Sequence, residues 1–224
     1  MAWRLSLSAR VLVALAACAS LALTGCGPQT QEVSNMIERS VEPENPAPLR
    51  NLNPSPQMAY DIRITLKDPP GPFAEINAAA QYDVANPGQC GEPQSLSGAI
   101  PRITTNESVK LERVSDTEFM GRVYVDQVLD EDYYGRGVCR WEFIETRVSF
   151  RASDDPMSSS FIATLHADAV ESGASKATFF WSGHYPKAEI DNYSTIGHAA
   201  LDHVEEADQH EFFQVEISAQ QAQP

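Results

Sequence analysis

Positive charge is scarce in this chain: 16 Lys and Arg stand against 31 Asp and Glu, a formal net charge of −15 at pH 7. Residues 1–25 hold two of those arginines and no acid, so a chain that loses them carries −17. A nucleic-acid binder needs a basic face to neutralise phosphates, and this balance excludes one. It also disfavours adhesion to anionic lipid by charge, and it favours solubility and electrostatic steering toward a cationic partner. The motifs that carry chemistry are missing as well: there is no C-x-x-C, H-E-x-x-H, G-x-S-x-G, EF-hand or phosphate-cradling glycine loop. With 31 acids, paired carboxylates have no specificity as a signal of glycoside cleavage. The expectation is a protein without catalytic activity and without a cofactor.

Long apolar runs are also few. Val11–Leu23 follows Arg4 and Arg10 and is too short to span a bilayer comfortably, so it reads as the apolar core of an export signal. Leu23-Thr24-Gly25-Cys26 then reads as the lipobox of a bacterial lipoprotein. Small residues at Thr24 and Gly25 let the peptidase reach the backbone, and the Cys26 thiol takes the lipid. Gly27, rather than Asp, follows the cysteine, which by the sorting rule points to the periplasmic face of the outer membrane. The membrane is thus one expected partner, reached through acyl chains that each add about 0.8 kcal/mol per buried methylene.

Only four cysteines are present. Cys18 leaves with the signal and Cys26 carries lipid. Cys90 and Cys139 remain in an oxidising compartment, where a disulfide between them is expected. It would close a loop of about 50 residues and stabilise the fold by roughly 4 kcal/mol.

The expected organisation is a signal over residues 1–25, a lipidated cysteine and proline-rich tether over 26–57, a folded domain over 58–219 and a tail over 220–224. The tether holds "EPENPAP" and "NPSPQ", extended polyproline-like pieces. Within the domain the dominant period is two. Tyr60, Ile62, Ile64 and Leu66 alternate with polar residues, as do Ile76, Ala78, Ala80, Tyr82 and Val84. Val109 and Leu111 predict one face of a third strand; Phe119, Val123 and Val125 predict a fourth. Val138–Ala152 predicts a long strand whose inward set shifts phase between Phe143 and Val148, implying a bulge near Ile144. Phe161, Ala163 and Leu165, then Ala177, Phe179 and Trp181, then Phe213, Val215 and Ile217 predict three more. About eight short strands give an all-β antiparallel sandwich, immunoglobulin-like or related. Only Ser194–Ala207 has helical spacing, through Ile196, Ala200, Val204 and Ala207.

"LDEDYYGRG" (Leu129–Gly137) is the candidate recognition loop. Asp130, Glu131 and Asp132 run into Tyr133 and Tyr134, and tyrosine gives interfaces rigid area with a polar tip. With Asp126 the acids could instead hold Ca²⁺. His184 and Tyr185 in "FFWSGHYP" are a second candidate contact. On the predicted helix His198, Asp202 and Glu206 would share a face, a weak alternative metal site.

Several stretches, "YDIRITLKDPPGPF", "AQYDV", "DEDYYGRGVCRWEF" and "FFWSGHYPKAEIDNY", together resemble a group of small lipoproteins that bacteria carry in several divergent copies. The resemblance covers most of residues 58–195. That multiplicity is similar to the one seen among periplasmic immunity lipoproteins, which neutralise toxic effectors. It implies a membrane-anchored protein-binding module whose partner is a protein, with a cationic toxin as the expected case, and it brings no catalytic residues. The alternative expectation is an envelope-maintenance lipoprotein that binds glycan, peptidoglycan or Ca²⁺.

Overall fold

The computed structural model describes residues 48–94 and 96–223. The signal, Cys26 and the tether up to residue 47 lie outside the described residues. Among the described residues no helix is long and apolar enough to cross a membrane.

In the described residues ten strands form two five-stranded sheets. The first sheet runs in the order β4 (Leu111–Arg113), β5 (Glu118–Tyr124), β1 (Ala59–Lys67), β10 (Phe212–Gln221), β8 (Ser175–Trp181). The second runs β3 (Thr104–Val109), β2 (Glu75–Val84), β6 (Trp141–Arg151), β7 (Ser160–His166), β9 (Ser194–Thr195). All pairings are antiparallel except β7 with β9. The expected β-sandwich is therefore present. Its connectivity differs from the immunoglobulin one, because the first and last strands lie side by side at the centre of one sheet. A single-turn helix α1 (Pro87–Cys90) follows β2, and α2 (Ala167–Ser172) links β7 to β8.

Alternation places the core. Ile62, Ile64 and Leu66 of β1, Ala80 and Tyr82 of β2, Phe161 and Leu165 of β7, and Phe213, Val215 and Ile217 of β10 are all buried. Their centre is aromatic: Phe73, Phe161, Phe180 and Phe213 pack with ring centroids 5.2 to 5.9 Å apart. The phase shift in β6 is a bulge at Ile144: Gln81 pairs with Glu145 and Tyr82 with Phe143, leaving Ile144 unopposed.

Three sequence expectations fail. Val109 and Leu111 do not share a strand; the chain crosses at Lys110 from β3 in the second sheet to β4 in the first. In β8 the buried residues are Thr178 and Phe180, whereas Ala177, Phe179 and Trp181 face outward. Apolar residues occupy both faces of this edge strand, so alternation alone could not choose; its register with β10, Phe180 opposite Phe213, decides. Ser194–Ala207 is not helical. Ser194–Thr195 pairs with β7, His198 exchanges two 2.8 Å backbone hydrogen bonds with Phe179 of β8, and a 3-10 turn follows at Glu206–Glu211. This strap closes the gap between edge strands β7 and β8, and pairing with two exposed edges overrides a weak helical pattern. Gly197 makes it possible, with φ +65° and a Cβ position only 2.6 Å from the Phe179 carbonyl oxygen.

Candidate functional site

The disulfide joins Cys90 and Cys139, Cα atoms 5.5 Å apart. Cys90 follows β2 and Cys139 precedes β6, neighbours in one sheet, so the bridge staples two adjacent strand ends rather than joining the two layers. Directly above it stands the acidic loop.

Hydrogen bonds fix that loop from within. The Cys139 N–H donates to the Glu131 carbonyl at 2.9 Å, closing a short antiparallel bridge. The Asp130 carboxylate accepts the Trp141 N–H at 2.8 Å. Asp132 Oδ1 accepts the N–H groups of Tyr134 and Arg136, in a turn where Gly135 and Gly137 take φ values of +68° and +115°. Desolvation pushes the Asp132 carboxyl up, but the amides of Gly137, Arg136, Tyr134 and Gly135 outweigh it and hold it below the usual range. The Tyr133 hydroxyl donates to the Leu129 carbonyl at 2.7 Å and accepts the Asn51 N–H at 3.0 Å. Burial raises its pKa; the Asn51 amide opposes this, and the charges of Glu131 and Asp130 add to it. Tyr134 lies under the Arg136 guanidinium at 5.4 Å, and Arg136 in turn donates to the Gly91 carbonyl beside the disulfide. The acids and tyrosines read as a recognition loop thus spend much of their hydrogen-bonding capacity on the loop itself.

The end of the expected tether completes this surface. Asn51 donates through Nδ2 to Glu131 at 2.6 Å, Leu52 bridges Val128, and the Asp126 carboxylate accepts the N–H groups of Gln57 and Met58. At this end of the sandwich Leu49, Leu52, Met58 and Val138 are 54, 47, 46 and 48% exposed, alongside Asp126 and the three loop acids. Sequence reasoning missed Arg50, Asn51 and Asn53, since each bonds a residue at least 57 positions away and no local pattern announces such a pair.

The partner of Arg50, Glu107, points inward from edge strand β3 and is only 7% exposed. Burial pushes the Glu107 carboxyl up. The hydrogen bonds from Arg50 and Thr105, with the attraction of the guanidinium, prevail and hold it below its ordinary value. In Arg50→Met the guanidinium's share of that compensation is gone, leaving only Thr105, and the carboxyl should titrate higher than in the parent. The expected loss at neutral pH is on the order of 1–3 kcal/mol, reduced from the cost of a fully buried pair because Arg50 is partly exposed. A depressed carboxyl contributes stability above its unfolded pKa and loses it as pH falls. The gap between parent and variant should therefore narrow as pH falls and Glu107 becomes protonated, first in the variant and then in the parent. Thermal melts from pH 3 to 7 check this; a gap independent of pH refutes it.

The other candidates lie elsewhere. His184 and Tyr185 follow β8, at the opposite end of the sandwich from the acidic loop: Tyr185 donates to the Pro72 carbonyl at 2.7 Å, in the connection after β1, whereas the acidic loop adjoins the start of β1. They cannot form one contact surface with Asp130–Tyr134. His184 sits between Trp181 and Tyr193, ring centroids 4.8 and 4.3 Å away. The proposed metal face of His198, Asp202 and Glu206 dissolves with the helix that defined it: the His198 ring instead packs against His203, tilted by 49° with centroids 4.8 Å apart, and Glu206 opens the 3-10 turn. Among the described residues no group of three or more His, Cys, Asp or Glu is placed to hold a metal ion. Comparison with protein-family models, with curated proteins and with solved structures found no match for this chain.

Proposed function

We propose that this chain is a lipid-anchored binding protein on the periplasmic face of the bacterial outer membrane, most concretely an immunity-type inhibitor that masks a cationic toxic effector. The observation that carries the reading is the acidic loop end: apolar Leu49, Leu52, Met58 and Val138 stand exposed among Asp126, Asp130, Glu131 and Asp132. Protein interfaces combine an apolar centre with a polar rim. A loop already ordered by its own hydrogen bonds and a disulfide loses little entropy on binding. The lipobox at Cys26 supports the location, and the excess of acids supports a cationic partner.

The test uses the soluble chain beginning after Cys26, immobilised and exposed to periplasmic extract of the producing strain and its kin. The parent should retain a basic protein. Changing Leu52→Asp and Val138→Asp together should weaken retention at least about tenfold, because both are exposed apolar residues at this end and a buried charge opposes association. A strain lacking the gene should become sensitive to its kin. If the parent retains no protein and the deleted strain stays fully resistant, the reading is wrong.

A further inference from the structure

The bulge at Ile144 has a chemical result. Simple alternation from Trp141 and Phe143 would turn Glu145 into the core; the extra residue sends Thr146, Val148 and Phe150 inward and re-aims Glu145 and Arg147 to the other face. There they form one wall of a cleft of about 440 Å³ between β7 and β8, bordered by the Ile196–Ala199 part of the strap.

Two features of the cleft define a ligand. First, its one acid is already matched. Glu145, 7% exposed, accepts Arg147 Nη2 at 2.7 Å and Nε at 3.2 Å on one oxygen and meets His166 Nδ1 at 3.2 Å on the other. Second, its lysine is not. Lys67 and Lys187 face carboxylates at 3.0 and 3.3 Å, whereas Lys176, like Lys110 outside the cleft, faces none among the described residues, and Lys176 meets only the Thr164 hydroxyl, at 3.4 Å. Arg147 and Glu145 cancel, so Lys176 leaves one positive charge in a concavity of an otherwise strongly acidic chain. The side chains of Ile162 and Ile196 supply apolar wall beside it. The volume lies in the range of small-molecule sites.

We infer that this cleft binds a small organic carboxylate, with the anion on Lys176 and Thr164 and a short apolar body against Ile162 and Ile196. A monoanion matches the single unpaired ammonium. A phosphate dianion would bring a second, uncompensated charge beside nearly buried Glu145, which a low-dielectric site penalises. The inference does not rest on the acidic loop having a partner, since it involves neither its residues nor its end of the sandwich.

The test is a nuclear magnetic resonance titration of the soluble chain with hexanoate, with its neutral isostere hexanamide and with inorganic phosphate. Hexanoate should give saturable shifts at Thr164, Lys176 and Gly197. Hexanamide and phosphate should bind at least about tenfold more weakly, the ratio expected for losing a charged hydrogen bond or adding an unpaired charge. Lys176→Met, which keeps the stem, should weaken hexanoate by a similar factor. Absence of saturable shifts, equal binding of hexanamide, tighter binding of phosphate, or undiminished binding by a folded Lys176→Met protein each overturn the inference. Should Lys176→Met fail to fold, the comparison of hexanoate with hexanamide on the parent chain decides alone.

Discussion

Phe213→Ala should destabilise the domain by about 3–5 kcal/mol, the range for removing a fully buried aromatic ring. Phe213 is completely buried on β10, the strand that lies between β1 and β8. Its ring meets Phe180 at 5.3 Å within its own sheet, Phe161 at 5.2 Å across the layers and Phe73 at 5.7 Å from the connection between β1 and β2. One substitution therefore removes the piece shared by both sheets and a connecting loop. A rigid sandwich cannot collapse fully around the hole, so a cavity cost adds to the lost burial. Because single domains hold only about 5–15 kcal/mol in total, this change takes a large part of it. Denaturant unfolding measures the effect; a loss under about 1 kcal/mol would show that the aromatic centre is not where the sheets are joined.

Removing the disulfide should have an effect of similar size by a different route. Cys90 and Cys139 are 49 positions apart, and closing a loop of that length removes denatured-state entropy worth roughly 4 kcal/mol. Changing both to Ala avoids a stray thiol. The expected loss is at or somewhat below that figure, because other bonds hold the same junction: Asn86 donates to the Val138 carbonyl at 2.8 Å and accepts the Arg140 N–H at 2.8 Å. Unlike Phe213→Ala, the change loosens the base of the acidic loop, so partner retention should fall further than stability alone explains. Unfolding titrations and partner retention, measured below the variant's melting temperature, separate the two effects. A loss under about 1 kcal/mol would mean that Asn86 and its neighbours already fix the junction.

The bulge, the disulfide and most core faces were legible in the sequence for a common reason. Each follows from a local rule: alternation fixes which residues of β1, β2, β7 and β10 face inward, a broken alternation marks Ile144, and two cysteines remain to pair once Cys18 and Cys26 are set aside. Where the local signal was two-sided, it misled. Strand β8 carries apolar residues on both faces, and the Ser194–Ala207 segment has helical spacing but meets two open sheet edges.

The candidate sites divide along the same line. Acids, tyrosines and glycines at 130–137 marked a loop, and the hydrogen bonds of Asp132 within it follow from turn chemistry. Nothing local announced that Asn51 would occupy Glu131 and Tyr133, or that Arg50 would plug the sheet edge at Glu107. The histidine set failed because spacing of four residues defines a face only on a helix.

By itself, the sequence determined the acidic balance, the cysteine pairing, the two-residue period and hence a two-layer β-fold, since these depend on composition and neighbouring positions. Tertiary structure alone decided which face of β8 is buried, what the strap covers, that His184 and the acidic loop stand at opposite ends, and that Glu145, Arg147, His166 and Lys176 meet in one cleft. Those outcomes depend on register and on contacts between distant strands, where the energy of an edge being covered or a charge being matched outweighs the weak preference of any short segment.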